Sequence, residues 1–263
     1  MPFNRVVSLR KPSDGVTPQS LREGIARIQS ELGVTAEFPP EVERAAVAAA
    51  AGGRLPDLDR TDLELVTIDP PSAQDLDQAL HIERAGEGYV VHYAIADVAA
   101  FVTPGDPVDL EAHRRGETLY GADSKVPLHP TVLSERAASL LPDQVRPALL
   151  WTIDVDETGE GTAVRVERAR VRSTAKLDYA GAQAAIDDGS ASESLKLLKE
   201  VGELRLAREA ARGGVSLPLP EQEVDVSGDQ WRLEFRKVLP VELWNAQISL
   251  LTGFAAASLM VYA

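Results

Sequence analysis

Two hairpin patterns in the middle of the chain constrain its fold more than any other sequence feature. In each, two apolar and β-branched segments flank a short turn, at Gly86 to Gly88 and at Glu157-Thr158-Gly159. With one further segment, the predicted strands are 63–68, 78–83, 89–96, 149–155 and 162–173. Strands joined by such short turns run antiparallel, so we expect a mainly antiparallel sheet.

Helical periodicity dominates outside the predicted sheet. The predicted helices are 20–32, 40–51 and 192–212, the last with a capping box from Ser190 to Glu193 and a double-glycine stop. Leu55-Pro56-Asp57 separates the first two helices from the strands and predicts a domain boundary. The expected fold class is therefore α/β (mixed α+β): a small helical N-terminal segment over 1–56, compatible with a helix-turn-helix, and a domain over 57–263.

Composition and the two chain ends exclude several classes of protein. The 263 residues include no cysteine, which excludes thiol catalysis, iron–sulfur clusters and cysteine-bound zinc. The first ten residues lack the apolar run of a secretory signal, so we predict a cytoplasmic protein. The stretch 243–263 carries no charge and is long enough to cross a bilayer. Because polar residues interrupt it repeatedly, we expect a buried helix and no membrane association.

The net charge of −14, from 41 acidic and 27 basic residues, repels polyanions such as nucleic acids. A bound divalent cation would reverse that field locally. The chain offers one dense acidic cluster, because Asp69, Asp75 and Asp77 fall within nine positions.

The acidic cluster has a sequence that favours convergence of its carboxylates. Pro70 and Pro71 exclude a helix after Asp69, and the two-residue period of an extended chain places Asp75 and Asp77 on one side. Carboxylate oxygens without nitrogen or sulfur ligands select Mg²⁺ or Mn²⁺. The alternative is that aspartates beside proline and serine only form a turn.

Short motifs follow one another along the chain from residue 69 to residue 251. They are Asp69-Pro70 to Ala79, His92 to Val98, Arg115-Gly116 to Tyr120, Val126 to Pro130, Leu133-Ser134, Ala138 to Leu140, Asp178-Tyr179 and Glu242 to Leu251. In content and order they resemble the RNB catalytic domain of the ribonuclease II/ribonuclease R family, over roughly 57–263. The resemblance implies a Mg²⁺-dependent hydrolytic 3′-to-5′ exoribonuclease that degrades single-stranded RNA to nucleoside 5′-monophosphates, without a nucleotide cofactor.

The resemblance also assigns roles within the acidic cluster. The family pattern is an aspartate, five residues, and then D-x-D-D, so Asp69, Asp75 and Asp77 match three positions that are catalytic and bind metal. Gln78 occupies the fourth, where it can offer a carbonyl oxygen to the metal but no negative charge. This departure keeps a second hypothesis open: a catalytically weak or inactive RNA-binding or regulatory scaffold with the same fold.

Two further features are candidates for RNA binding. The resemblance places Tyr120 in the segment where the family stacks an aromatic ring on RNA, whereas the alternative is a partly buried tyrosine with a paired hydroxyl. Arg168, Arg170 and Arg172 alternate along a predicted strand and share one face. Such a strip either follows phosphates or is only a solvated surface.

The resemblance predicts that the chain ends inside the catalytic domain. The missing second half of that domain and an S1-like domain are expected in the full-length protein.

Asp154 to Thr158 imitates the start of a calcium loop, but Arg165 stands where that loop needs a bidentate glutamate, so we predict a hairpin turn there.

Overall fold

A computed structural model describes residues 6–7, 18–215, 217, 221–227 and 230–262. The strands are β1 (Val6–Val7), β2 (Leu58–Asp59), β3 (Leu65–Ile68), β4 (Gln78–Ala85), β5 (Gly88–Ala96), β6 (Leu119–Tyr120), β7 (Lys125–Val126), β8 (Val145–Val155), β9 (Gly161–Leu177), β10 (Glu221–Ser227) and β11 (Gln230–Arg236). The helices are α1 (Pro18–Glu31), α2 (Pro40–Ala51), α3 (Pro107–Arg115), α4 (Tyr179–Asp188), α5 (Glu193–Ala211) and α6 (Pro240–Tyr262). All predicted strands and helices are therefore present, with small shifts at their ends.

The chain forms two compact units. The first combines the described residues within 1–46, 104–130 and 217–238, and the second those within 47–103, 131–216 and 239–263. The boundary near residue 55 stays a prediction. In the first unit, β11 pairs antiparallel with both β1 and β10, so distant parts of the chain form one small sheet.

The second unit contains the predicted antiparallel sheet, and β9 closes it. The hairpins β4–β5 and β8–β9 form as predicted, and β5 pairs antiparallel with β8. The long strand β9 continues past β8 and pairs in parallel with β3, which in turn pairs with β4. Strands β3, β4, β5, β8 and β9 therefore form a closed ring, to which β2 adds in parallel along β9.

The two faces of this sheet bury different side chains. One cluster combines leucines with alanines, including Ala79 and Ala94. Their chain neighbours Leu80 and Tyr93 belong to a larger cluster that helices α4, α5 and α6 complete with leucine, isoleucine and tryptophan side chains. The alternation follows from the two-residue period of strands, and it means that the helices pack on one face only.

The start of α5 and the turn at 154–159 refine two predictions. Ser192 Oγ accepts a hydrogen bond from the Leu195 amide at 3.4 Å, so the predicted capping box from Ser190 to Glu193 is wrong. Asp156 Oδ1 accepts from the amides of Thr158 and Glu160, which confirms a hairpin turn.

Of the helices within the described residues, none combines the length and apolar character needed to cross a membrane.

Helices α5 and α6 approach closely at Gly202. A Cβ atom at this position would lie 2.4 Å from Trp244 Cβ, well inside ordinary contact distance. Both residues are buried on the helical side of the sheet. The packing of these two helices therefore requires glycine at this point.

Gly202→Ala is expected to destabilise the second unit by roughly 1–3 kcal/mol, because the added methyl group overpacks the helix contact. Urea unfolding followed by circular dichroism measures the change. Gly253→Ala is the matched control, since Gly253 also lies in a helix but has no atom within 4 Å of its Cβ position. The control should be neutral or slightly stabilising. Equal effects of both variants would contradict the close contact.

A buried arginine organises the first unit. Arg115 donates from Nη1 to the carbonyls of Thr35 and Pro127, and from Nη2 to the carbonyl of Glu37. Its Nε donates to Glu111 Oε1 at 2.8 Å, and its guanidinium lies 3.7 Å from the Phe38 ring centroid. The guanidinium therefore joins three separate segments by charge-assisted hydrogen bonds.

The carboxylate of Glu111 should make stability pH dependent. Hydrogen bonds from Arg114 and then Arg115 lower the pKa of Glu111 to about 2, against the opposing effect of burial. The ordinary value is 4.5, so this group stabilises the fold above pH 4.5 and the contribution is lost as the pH falls towards 2. Glu111→Gln should flatten the loss of stability between neutral pH and pH 3 in urea melts. Parallel pH profiles of variant and wild type would contradict this prediction.

Candidate active site

The acidic segment leaves the end of β3 and is held at both ends. The Asp69 amide donates to the carbonyl of Leu177 on β9 at 3.0 Å. Further along, the buried amide of Leu76 donates to Ser139 Oγ at 3.0 Å, and the same hydroxyl donates to the carbonyl of Gln74. Backbone amides and carbonyls of the segment thus form hydrogen bonds with β9 and with Ser139, although the segment belongs to no β-strand ladder.

Lys176 ties the kink of the segment to β9. Its Nζ donates to the carbonyls of Pro71 and Ala73, and the register of the parallel pair places Lys176 opposite Thr67. These contacts hold the proline-containing turn between Asp69 and Asp75 against the sheet. The side chain also brings a positive charge to the edge of an acidic cluster.

The structure brings the predicted acidic residues to one cleft of about 140 Å³ in the second unit, which we call the acidic cleft. Asp69 and Asp75 are half-buried, whereas Asp77 and Gln78 are exposed. The polar residues that line the cleft are Asp69, Asp75, Asp77, Gln78, Tyr93, Tyr179 and Asn245. Every candidate catalytic and metal-binding residue therefore faces the same space.

The carboxylates of the cleft repel one another. Burial is the main cause that raises the pKa of Asp69 to about 6, and the charges of Asp77 and Asp75 raise it further. The positive charge of Lys176 acts in the opposite direction. A cation bound in the cleft would relieve this repulsion and favour the ionised carboxylates.

The donor set fits a hard divalent cation that is only partly enclosed by protein. Within the part of the chain that the structure describes, no group of three or more histidine, cysteine, aspartate or glutamate side chains is arranged to hold a metal ion. Mg²⁺ commonly binds through one or two carboxylates and completes its coordination with water and substrate phosphate oxygens. Asp69, Asp75 and Asp77 offer carboxylates of this kind, so the residues fit magnesium without forming a complete cage.

Gln78 is engaged by a residue that sequence reasoning did not identify. The Tyr93 hydroxyl donates to Gln78 Oε1 at 2.6 Å. Burial is the main cause that raises the pKa of Tyr93 to about 12, so the phenol keeps its proton at neutral pH. One lone pair of the Gln78 carbonyl is thus occupied, although the oxygen can still accept a second bond.

Tyr93, Tyr179 and Asn245 are the polar residues of the cleft to which the sequence assigned no role. All three lie in segments that carry the family resemblance, which was the available signal. Tyr93 reaches Gln78 because the hairpin register sets it opposite Leu80, on the same face of the sheet. Only the register of the paired strands reveals that proximity.

Tyr120 lies on the β6–β7 hairpin of the first unit. It is 77% exposed, which excludes the alternative of a partly buried tyrosine. An exposed ring of this kind is available for stacking on a base.

The arginines of β9 share one face, as predicted, because Ala169 and Val171 between them are buried. Arg168 Nε lies 3.4 Å from Oδ2 of the buried Asp97, and Arg170 Nη2 lies 3.1 Å from Asp59 Oδ2. Two of the three charges are therefore balanced by carboxylates. None of the three arginines lines the acidic cleft.

The chain is similar to several known proteins. The sequence matches the RNB domain over residues 58–253. It is 33% identical over 181 residues to the probable exosome complex exonuclease RRP44 of Caenorhabditis elegans, which covers 66% of this chain and 19% of that protein. It is 35% identical over 137 residues to exoribonuclease 2 of Vibrio cholerae, which covers 51% of this chain and 20% of that protein.

A solved structure shows the same fold. RNase R of Mycoplasma genitalium, in complex with ribose-methylated single-stranded RNA, superposes with a TM-score of 0.78 at 25% identity. The match covers 86% of this chain and 37% of that one. The chain thus spans about a fifth of the length of the curated relatives described above. From the match over residues 58–253, this chain belongs to the RNB domain family.

Proposed function

We propose that this chain carries the metal-binding part of a Mg²⁺-dependent hydrolytic exoribonuclease, which degrades single-stranded RNA from the 3′ end to nucleoside 5′-monophosphates. One observation carries the proposal: Asp69, Asp75 and Asp77 line a single cleft in a chain of the RNB family. Two relatives named exonuclease or exoribonuclease, and an RNase R structure that holds single-stranded RNA, support the substrate class. We place the protein in the cytoplasm.

The residues of the cleft divide the work of phosphodiester hydrolysis. Asp69 and Asp75 would hold Mg²⁺, with Mn²⁺ as a substitute, and the bound ion supplies charge stabilisation to the phosphate oxygens. The exposed Asp77 orients an attacking water and accepts its proton. Gln78, held by Tyr93, offers its carbonyl oxygen to the metal or to that water. Lys176 holds the kinked segment in place.

RNA contacts outside the cleft rest on exposed groups. Tyr120 would stack on a base, a contact worth about 1–3 kcal/mol. In the strip formed by Arg168, Arg170 and Arg172, the first two pair with carboxylates, so we assign phosphate binding chiefly to the exposed Arg172.

A second candidate function is an RNA-binding scaffold with weak or no turnover. Gln78 favours it, because the glutamine brings no charge and its carbonyl already accepts a hydrogen bond from Tyr93. This hypothesis predicts RNA binding with intact RNA after long incubation.

Asp77→Asn should abolish the release of mononucleotides, with a loss of about 10²–10⁴-fold, because the amide cannot accept a proton from water. A single-turnover assay with labelled single-stranded RNA and Mg²⁺ measures it, in the full-length protein. Asp57→Asn is the matched control, since Asp57 is exposed and lies outside the cleft. Undiminished turnover in Asp77→Asn would refute the assignment, and intact RNA bound by the wild type would support the scaffold.

Gln78→Asp should tighten binding of Mn²⁺, used as a probe for Mg²⁺, by about tenfold, because a fourth carboxylate adds negative charge to the cleft. Electron paramagnetic resonance of free Mn²⁺ measures the affinity without reference to activity. Tyr93→Phe is the control for loss of the hydrogen bond to residue 78 and should change the affinity much less. Equal affinities of Gln78→Asp and wild type would show that residue 78 lies outside the metal site.

A further inference from the structure

Three arginines lie on one face near the end of helix α5: Arg205 and Arg208 within the helix and Arg212 as its C-cap. Spacings of three and four residues place them side by side. They line a second cleft, of about 510 Å³, which residues of β8, β9 and the second half of α6 complete. This cleft shares no lining residue with the acidic cleft.

Arg205 is buried without full pairing. The residue is 3% exposed, and its Nη1 donates to the carbonyl of Gly159 at 2.9 Å. Its Nε is buried and has no hydrogen-bond partner among the described residues. Burial lowers the pKa of this guanidinium, Glu160 opposes the shift, and the charges of Arg212 and Arg208 add to it. An incompletely paired buried cation is costly unless a ligand completes it.

The charge of the cleft is unbalanced. Among the described residues that line it, Glu160 is the one acidic side chain, and it pairs with Arg208. Arg208 also donates to Thr158 Oγ1 at 3.1 Å. The guanidinium charges of Arg205 and Arg212 are left without a carboxylate from the lining.

The guanidinium groups of Arg205 and Arg212 both contact one aromatic ring, that of Phe254. Arg205 Cζ lies 5.7 Å and Arg212 Cζ 4.7 Å from the centroid of the Phe254 ring. A guanidinium that contacts a ring in this way still presents N–H donors in its own plane. Phe254, Leu251 and Ile153 also give the cleft an apolar side.

The position of the arginines at a helix end explains only part of this arrangement. Arg208 lies in the last turn of α5 and Arg212 follows as its C-cap, where the helix dipole favours positive charge. Arg205 lies further back and is buried, so the dipole does not account for it. Its burial beside two like charges therefore needs a further explanation.

We propose that this cleft binds a phosphate dianion, either free or as the phosphate of a nucleoside monophosphate. Arg205 and Arg212 donate to the phosphate oxygens, in the manner of arginine at phosphate sites. The nucleoside of a bound monophosphate would pack against the apolar side formed by Ile153, Leu251 and Phe254. The volume is within the range of small-molecule sites.

The proposed site is separate from the candidate hydrolytic centre. Asn245 of the acidic cleft and Phe254 of the arginine cleft both lie on α6, about 13 Å apart along its axis by helical rise. The proposal therefore does not rest on hydrolytic activity, and it can be tested with metal removed.

Calorimetric titration with inorganic phosphate, adenosine monophosphate and adenosine, in EDTA, tests the site. EDTA prevents phosphate binding through a metal in the acidic cleft. We expect one equivalent of phosphate or monophosphate to bind, and Arg212→Ala to weaken binding by roughly tenfold to a hundredfold. Arg212 is exposed, so the variant should fold, and Arg205→Lys is the second variant, which keeps the charge but loses the planar donors.

The matched control is Arg27→Ala, an exposed arginine on α1, which should leave the affinity unchanged. Equal affinities for phosphate and the monophosphate would show that the site recognises the phosphate group alone. Tighter binding of the monophosphate would show that the nucleoside also contributes to affinity. The proposal is overturned if neither binds up to about 10 mM. It is also overturned if Arg212→Ala binds as the wild type does, or if adenosine binds as tightly as its monophosphate.

Discussion

The pairing of one long strand with two others is the constraint on which the second unit depends. Strand β9 completes the antiparallel hairpin with β8 and then runs parallel to β3, which closes the sheet. The end of β9 receives the Asp69 amide at Leu177 and supplies Lys176 to the carbonyls of the proline turn. The same end of β9 therefore closes the sheet and holds the acidic segment in place.

Electrostatics gives this arrangement its chemical meaning. In a chain of net charge −14, three of the carboxylates lie in one cleft, where burial and the charges of Asp77 and Asp75 raise the pKa of Asp69. Such a cluster costs free energy unless a cation or a proton neutralises it. The arginine cleft shows the opposite imbalance: three guanidinium groups and one carboxylate line it, and Nε of the buried Arg205 has no hydrogen-bond partner among the described residues. The two clefts lie along one helix and present opposite charge to their ligands.

Local patterns predicted the hairpins, the long helices and the acidic segment, because alternation, glycine turns and caps act over a few residues. Contacts between distant residues could not be predicted in this way. Arg115 follows the exposed Arg114 in the sequence, yet its own side chain is buried among carbonyls from Thr35, Glu37 and Pro127. Tyr93 meets Gln78 only through the strand register. The sheet that joins β1 to β11 likewise depends on a pairing across most of the chain.

We propose above all that the cleft lined by Asp69, Asp75 and Asp77 holds a hard divalent cation. Anomalous diffraction from crystals soaked in Mn²⁺ tests it most directly, since the signal locates the metal without any assumption about activity. We expect a peak bonded to carboxylate oxygens of these residues. A peak elsewhere on the protein, or an empty cleft at saturating Mn²⁺, would contradict it.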